Sequence, residues 1–356
     1  MHTDLEEAAR GLGVDLPHLA IASMTAETDI SRFKTNVMAS WQRELRSGDD
    51  YRDVDLVLLG SIARREVTKG SDCDYVVLQN GCTPEISRRL LRIADKVREE
   101  LQYAEPGGQG VFGDIVIAAN LYERIGLESD SNQNLTHRML LLTEAVSVFQ
   151  DGTYHAVVGN ILRRYCADYL PPRRPHDAPT KVPRHLVNDL VRLWRTIAVD
   201  FGAKRWRSKK DDSFLRLIKL RTTRKVLFAG PLCTLLLAPD RVTAARDLED
   251  YLREWLAKPP LAQLAALATN ESTATKIAAS TKEALAKLLT AYDHLLEIFG
   301  QDRVRAALKD RESYPDDFKN ASDRCRQIAE TIQTALEAIF FDDAILHERF
   351  RKYSVF

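Results

Sequence analysis

The stretch VDLVLLGSIARREVTKGSDCDYVVLQ, residues 54–79, decides the fold. It opens on the apolar run Val54 to Leu59, which has a single acid, Asp55, inside it, and closes on a second apolar run, Tyr75 to Leu78. Both runs are short and bounded by polar residues or glycine, which is how strands read, and a turn-and-helix segment is expected between them. The first run ends on Gly60-Ser61, and the second is preceded by Ser71-Asp72-Cys73-Asp74.

On a strand, residues two apart point the same way, so Asp72 and Asp74 present two carboxylates on one face while Cys73 faces the other. Such a pair repels itself unless a cation lies between. A third acid, Asp114, sits inside Val111 to Ala118, a strand candidate otherwise apolar on both faces. An unpaired charge there would cost several kcal/mol or lose its ionisation, and a metal site removes that cost. Hard oxygen ligands select Mg²⁺ or Mn²⁺. Two such ions held by three carboxylates are the usual apparatus of in-line phosphoryl displacement. Gly60 lets backbone approach a phosphate, and Ser61 at the start of a short helix offers a hydroxyl and N–H donors.

Working outward, the chain up to about residue 48 is expected to be helical, with Ile30, Phe33, Val37, Trp41 and Leu45 on one face and Asp29 as a cap. Pro84 at a first helical position opens an amphipathic helix whose apolar face is Ile86, Leu90, Ile93, Ala94, Val97 and Leu101. A glycine-rich loop, Glu105 to Gly110, precedes the third strand. The first 120 residues therefore alternate α and β. Beyond them strand signals vanish. Two helices are expected between His137 and Leu170, and five prolines from Pro171 to Pro183 then mark a connector. Further helices are expected at 184–201, 214–228, 241–256, 273–299 and 318 to about 350. The domains expected are an α/β catalytic domain at 1–170 and a helical domain at 181–356, with the active site in the cleft between them.

The residues Leu59-Gly60-Ser61, Asp72-Cys73-Asp74 ten residues further on, and a strand acid about forty residues later resemble the polymerase-β-like nucleotidyltransferase superfamily, over roughly residues 50 to 120. The resemblance implies an α/β (α+β) catalytic domain with a mixed sheet, followed by an all-helical domain. It implies that Asp72 and Asp74 hold two Mg²⁺ or Mn²⁺ ions, that Asp114 holds the catalytic one beside the acceptor hydroxyl, and that Gly60 and Ser61 meet the β and γ phosphates. The stretch from Arg64 to Ser71 looks like the family's loop between turn and acids, which adds Arg65 and Ser71 to the nucleotide-binding set. Related enzymes place basic helical residues near the phosphates, and Lys219, Arg221 and Lys225 are the candidates here.

Charge and composition set the outer limits. Lys plus Arg balance Asp plus Glu at 51 each, which argues against indiscriminate nucleic-acid binding. From Lys181 to Gly230, however, fourteen Lys and Arg face four Asp and Glu, a local excess of ten. Within it, Lys204-Arg205-Trp206-Arg207-Ser208-Lys209-Lys210 reads as an exposed loop or a nucleic-acid contact. No apolar run is long enough to span a membrane, and the first residues lack the pattern of a secretory signal, so a cytoplasmic protein is expected. Five scattered cysteines read as reduced thiols. The function expected is transfer of a nucleoside monophosphate from an NTP or dNTP to an acceptor hydroxyl with release of pyrophosphate, building or extending an oligonucleotide in a bacterial toxin or anti-phage role. The alternatives are adenylylation of a protein or small molecule, and a regulatory protein that binds nucleotide without turnover.

Overall fold

The computed structural model describes residues 1–81, 83–106, 111–167, 182–207, 213–242, 244–269 and 277–355. The chain divides into two compact units, Ala22–Asp168 and Met1–Ile21 with Tyr169–Phe356. The sheet-bearing unit thus begins at Ala22 rather than at residue 1. Helix α1 (Thr3–Leu12) explains the difference: its apolar face, Leu5, Ala8 and Ala9, is buried where it packs on α11 (Pro260–Thr269) of the helical unit. The proline-rich connector lies outside the described residues except Pro183, and so do Gly107 to Gly110.

In the first unit, α2 (Pro17–Glu44) carries Phe33, Val37 and Trp41 fully buried. The helix starts at Pro17, which leaves Asp29 in its interior and not at a cap. Four strands follow in the spatial order β3-β2-β1-β4. Strand β1 (Val54–Leu59) pairs antiparallel with β2 (Asp74–Gln79), and β2 pairs parallel with β3 (Asp114–Ile117) across the amphipathic helix α3 (Pro84–Glu100). A short strand β4 (Ala145–Ser147) pairs antiparallel with β1, so the sheet is mixed. Between β3 and β4 lie α4 (Ala119–Tyr122) and α5 (Asn132–Thr143), and α6 (Asp151–Cys166) follows β4.

Every residue of β1 is buried, which is why its sequence is apolar throughout and not alternating. On one face, Leu56, Leu58, Cys73, Tyr75 and Val77 join Phe33, Val37 and Trp41 of α2 and Leu90, Ile93 and Val97 of α3 in a single core. Each fully buried large apolar side chain there contributes roughly 1.5–3 kcal/mol. The opposite face takes the alternate residues Val57, Leu59, Val76 and Leu78, and with them Asp55, Asp74 and Asp114.

The helical unit comprises α1 and the helices α7 (Arg184–Arg207), α8 (Ser213–Arg221), α9 (Thr223–Arg241), α10 (Leu248–Leu256), α11, α12 (Ala279–Gly300), α13 (Asp302–Lys309), α14 (Pro315–Glu337) and α15 (Ala344–Phe350). The single helix expected over 214–228 is divided at Thr222, and α11 was not foreseen. Helices α9 and α11 approach so closely that a Cβ on Gly230 would lie 2.3 Å from the Pro260 carbonyl oxygen. No helix among the described residues is long and apolar enough to cross a membrane. Cys73, Cys166, Cys233 and Cys325 are buried free thiols.

Candidate active site at the end of the β1–β2 hairpin

Gly60 follows the last residue of β1 with φ 71°, a left-handed conformation that glycine adopts without steric cost. The register sets Leu59 opposite Asp74, which brings the glycine against that carboxylate. An ideal Cβ at position 60 would lie 3.0 Å from Asp74 Oδ2. Glycine is favoured here by backbone conformation, and an added Cβ would also crowd the Asp74 carboxylate.

The residues after it form one turn and not the expected short helix. The Arg64 N–H donates to the Gly60 carbonyl at 3.0 Å and the Glu66 N–H to the Ser61 carbonyl at 2.9 Å. Arg65 then enters the left-handed region at φ 63°, which no right-handed helix can continue through. Ser61 is half-buried in this turn. Its surroundings are those of a turn, without the dipole of a helix N-terminus. At the far end of the loop the Ser71 hydroxyl accepts the Thr68 N–H at 3.0 Å while the Ser71 N–H donates to the Thr68 carbonyl at 2.9 Å. Ser71 thus closes a turn immediately ahead of the acids.

Asp72 is exposed and its backbone bridges to Ala104, Cys73 is fully buried on the core side, and Asp74 begins β2 half-buried. Burial, reinforced by the neighbouring Asp74 charge, pushes the Cys73 thiol up to about 12, so it is an inert packing group. Asp114 differs from expectation. The strand is Asp114–Ile117 and not Val111 to Ala118, and Asp114 is its first, exposed residue, not a charge inside an apolar strand. The parallel register nonetheless sets Asp114 opposite Val76, two residues beyond Asp74. Paired residues and residues two apart in a strand share a face, so Asp74 and Asp114 belong to the same side of the sheet, and Asp72 lies two residues ahead of β2. Among the described residues no three His, Cys, Asp or Glu side chains gather tightly enough to hold an ion. The three carboxylates match a hard divalent cation in chemistry, in an open and not a closed arrangement.

Around the acids the turn is held by charges that sequence reasoning did not pair. Arg64 is buried between Glu66, 2.8 Å from its Nε, and Glu144 at the α5–β4 junction, which meets Nη1. It ties the Gly60–Glu66 turn to the far edge of the sheet. Its neighbour Arg65 is half-buried, with Nη1 buried and without a hydrogen-bond acceptor among the described residues. Burial lowers its pKa, and the Glu27 charge opposes that shift. A buried guanidinium N–H lacking an acceptor is costly, and an anion would supply one. His137 of α5, given no role from sequence, meets the Val111 carbonyl through Nε2 at 2.6 Å. Burial lowers its pKa, while the Val111 contact and the Asp114 charge pull it back up. Its ring pins the approach to the third acid.

Lys219, Arg221 and Lys225 belong to the helical unit. Lys219 is half-buried on α8, Arg221 is exposed at that helix's end, and Lys225 on α9 meets the Gln333 side-chain oxygen. Burial, then repulsion from Arg221, lowers the Lys225 pKa. Lys219 and Arg221 thus lie on α8 and Lys225 on α9, on either side of the break at Thr222. Of the basic segment, Lys204 pairs with Asp200 at 2.7 Å, and Ser208 to Lys210 lie outside the described residues. No protein-family model matches this chain, and comparison with curated proteins found no match to it.

Proposed function

We propose that the chain is a nucleotidyltransferase that moves a nucleoside monophosphate from an NTP or dNTP to an acceptor hydroxyl and releases pyrophosphate. The observation that carries this reading is that Asp74 and Asp114 share one sheet face, with Asp72 two residues before β2, beside a left-handed glycine at which an added Cβ would lie 3.0 Å from Asp74 Oδ2. The same residues underlie the likeness to the polymerase-β-like superfamily. In this reading the three carboxylates hold Mg²⁺ or Mn²⁺, which would supply charge neutralisation of the phosphates and a more acidic acceptor hydroxyl.

The chain's own groups divide the remaining work. Gly60 leaves room for phosphate oxygens beside Asp74, and the Ser61 hydroxyl donates to them. Arg65 offers its unpaired Nη1 to the same anion. Arg64, locked by two carboxylates, keeps the turn from moving as charge shifts during transfer. Lys219, Arg221 and Lys225 are kept as phosphate contacts only by the resemblance. The acceptor we favour is an oligonucleotide or nucleotide, since the excess of basic residues from Lys181 to Gly230 suits a phosphate-rich partner.

Incubation with α-labelled and γ-labelled NTP in Mg²⁺, with RNA, DNA or lysate protein as acceptors, tests this directly. The α label should move to an acceptor and the γ label should leave as pyrophosphate. Asp72→Ala and Asp74→Ala should each abolish transfer while leaving the unfolding midpoint of the metal-free protein unchanged or raised. Near-normal turnover in either variant would remove these acids from the chemistry.

A further inference from the structure

Asp114 occupies an insecure place in the sheet. It is the first residue of β3, which stands at one end of the order β3-β2-β1-β4 and, among the described residues, takes ladder bonds from β2 alone. Its own carboxylate is turned back on the chain, with Oδ1 accepting the Ile115 N–H at 2.7 Å. Ladder pairing begins at Asp114 itself, so its approach is fixed by the segment ahead of it, Val111 to Gly113. Two hydrogen bonds hold that segment: the Gly113 N–H donates to the Tyr75 carbonyl at 2.7 Å, and the Val111 carbonyl meets His137 Nε2 at 2.6 Å. The first is a backbone bond that any residue at 113 except proline could make. The second needs a side-chain donor at position 137.

His137 is placed to be rigid. Every residue of α5 from His137 to Thr143 is buried. Beside it, Arg138 is locked by Asp130 at 2.8 Å and by the Tyr165 hydroxyl at 2.7 Å. A side chain on such a helix cannot shift without moving the packing around it. A carbonyl oxygen only accepts, so Nε2 carries the proton of this hydrogen bond. The Asp114 charge is also felt at the ring, where it favours the protonated form. We propose that His137 is a positioning residue for Asp114: by holding the Val111 carbonyl it sets where the third carboxylate stands relative to Asp74, and so how well the two acids share a divalent cation. This rests on the nucleotidyltransferase reading, since it is a shared cation that makes their separation matter. Groups that orient a metal-binding carboxylate from behind typically change metal affinity or activity by about 10–100-fold when removed.

The test compares the full chain with His137→Leu, which fills the buried space without a donor, His137→Gln, whose side-chain N–H can meet the Val111 carbonyl, and Asp114→Asn. Thermal unfolding checks that each variant folds. Mn²⁺ binding, followed by electron paramagnetic resonance without nucleotide, should weaken by about 10–100-fold in His137→Leu and recover most of the loss in His137→Gln. Adding His137→Leu to Asp114→Asn should cost nothing further, because no third carboxylate is left to place, a coupling that loss of packing alone would not produce. In α-label transfer, His137→Leu should lower kcat by about tenfold or more with KM for NTP little changed, since Asp72 and Asp74 still hold the nucleotide's ion. In the metal-free protein, hydrogen exchange at the Gly113 N–H should quicken in His137→Leu and not in His137→Gln. Mn²⁺ affinity unchanged in His137→Leu, or losses from His137→Leu and Asp114→Asn that simply multiply, would overturn the positioning role. A wild type that binds no Mn²⁺ overturns both this role and the transfer reading. Mn²⁺ binding that depends on Asp114 and His137 without any label transfer overturns the transfer reading alone and supports this role.

Discussion

Replacing Gly60 by alanine separates two costs that coincide at one atom. The first is conformational: φ 71° is left-handed, and forcing an L-residue into it costs roughly 1–2 kcal/mol. The second is local: the new Cβ would lie 3.0 Å from Asp74 Oδ2, close enough that the carboxylate must give by a few tenths of an ångström. A 1 Å misplacement of a catalytic group can cost about a hundredfold in rate, so a shift of this size should lower turnover by about tenfold. Gly126 is the control, for it has φ 75° in the same unit and nothing within 4 Å of an added Cβ. Gly126→Ala should therefore lose a similar 1–2 kcal/mol by the conformational cost alone, with turnover unchanged. Denaturant titration gives the stability of both variants, and α-label transfer gives their rates. If Gly60→Ala and Gly126→Ala were matched in both stability and rate, contact with Asp74 would have no catalytic meaning and the site would have to be sought elsewhere.

Two further expectations follow from buried charge. Asp55, inside β1, has its pKa raised from 3.8 to about 7 by burial, although the Gln150 and Leu56 N–H groups and the Ser147 hydroxyl favour its ionised form. The folded protein then holds a proton that the unfolded chain releases, so stability should fall by about 4 kcal/mol as pH rises from about 4 to 7 and level off above. Asp55→Asn should remove that slope from unfolding midpoints measured between pH 5 and 8, and identical slopes in the two proteins would refute the assignment. Arg64→Ala should destabilise by about 3 kcal/mol or more, because it removes the buried guanidinium that Glu66 and Glu144 share. Adding Glu66→Gln and Glu144→Gln should restore much of the loss, and no recovery would mean that packing and not charge is what Arg64 supplies.

What could be read in advance was what local pattern encodes. Strand β1 has the bounds its apolar run suggested, and α3 begins at Pro84 as the proline and the following amphipathic spacing require. Strand β4 was not legible: three half-buried residues carry no period, and only pairing with β1 makes them a strand. The partners of charge were hidden for the same reason. Arg64 meets Glu144 across 80 residues of chain, and the buried Arg138–Asp130 pair, with Tyr165 donating its ring and accepting at 2.7 Å, depends on three separate segments. Spacing along the chain says nothing about such meetings. At the site, the turn glycine and the paired acids were visible because they depend on neighbours one or two residues away, whereas the roles of Arg65 and His137 depend on what lies above them in space.

A charge buried within an apolar strand would need compensation, but Asp114 is exposed at the start of its strand. The alignment does not rest on burial. It follows from parallel pairing of Val76 with Asp114 and from the two-residue period of β2, which together oblige Asp74 and Asp114 to share a face. An exposed position also suits the proposed chemistry better than a buried one. A cation carrying a triphosphate arrives from solvent, and a carboxylate sealed inside an apolar strand would have to be uncovered before it could coordinate. An acid at the strand's first residue is held by the ladder on one side and open on the other, so it can be drawn toward Asp74 without breaking the sheet.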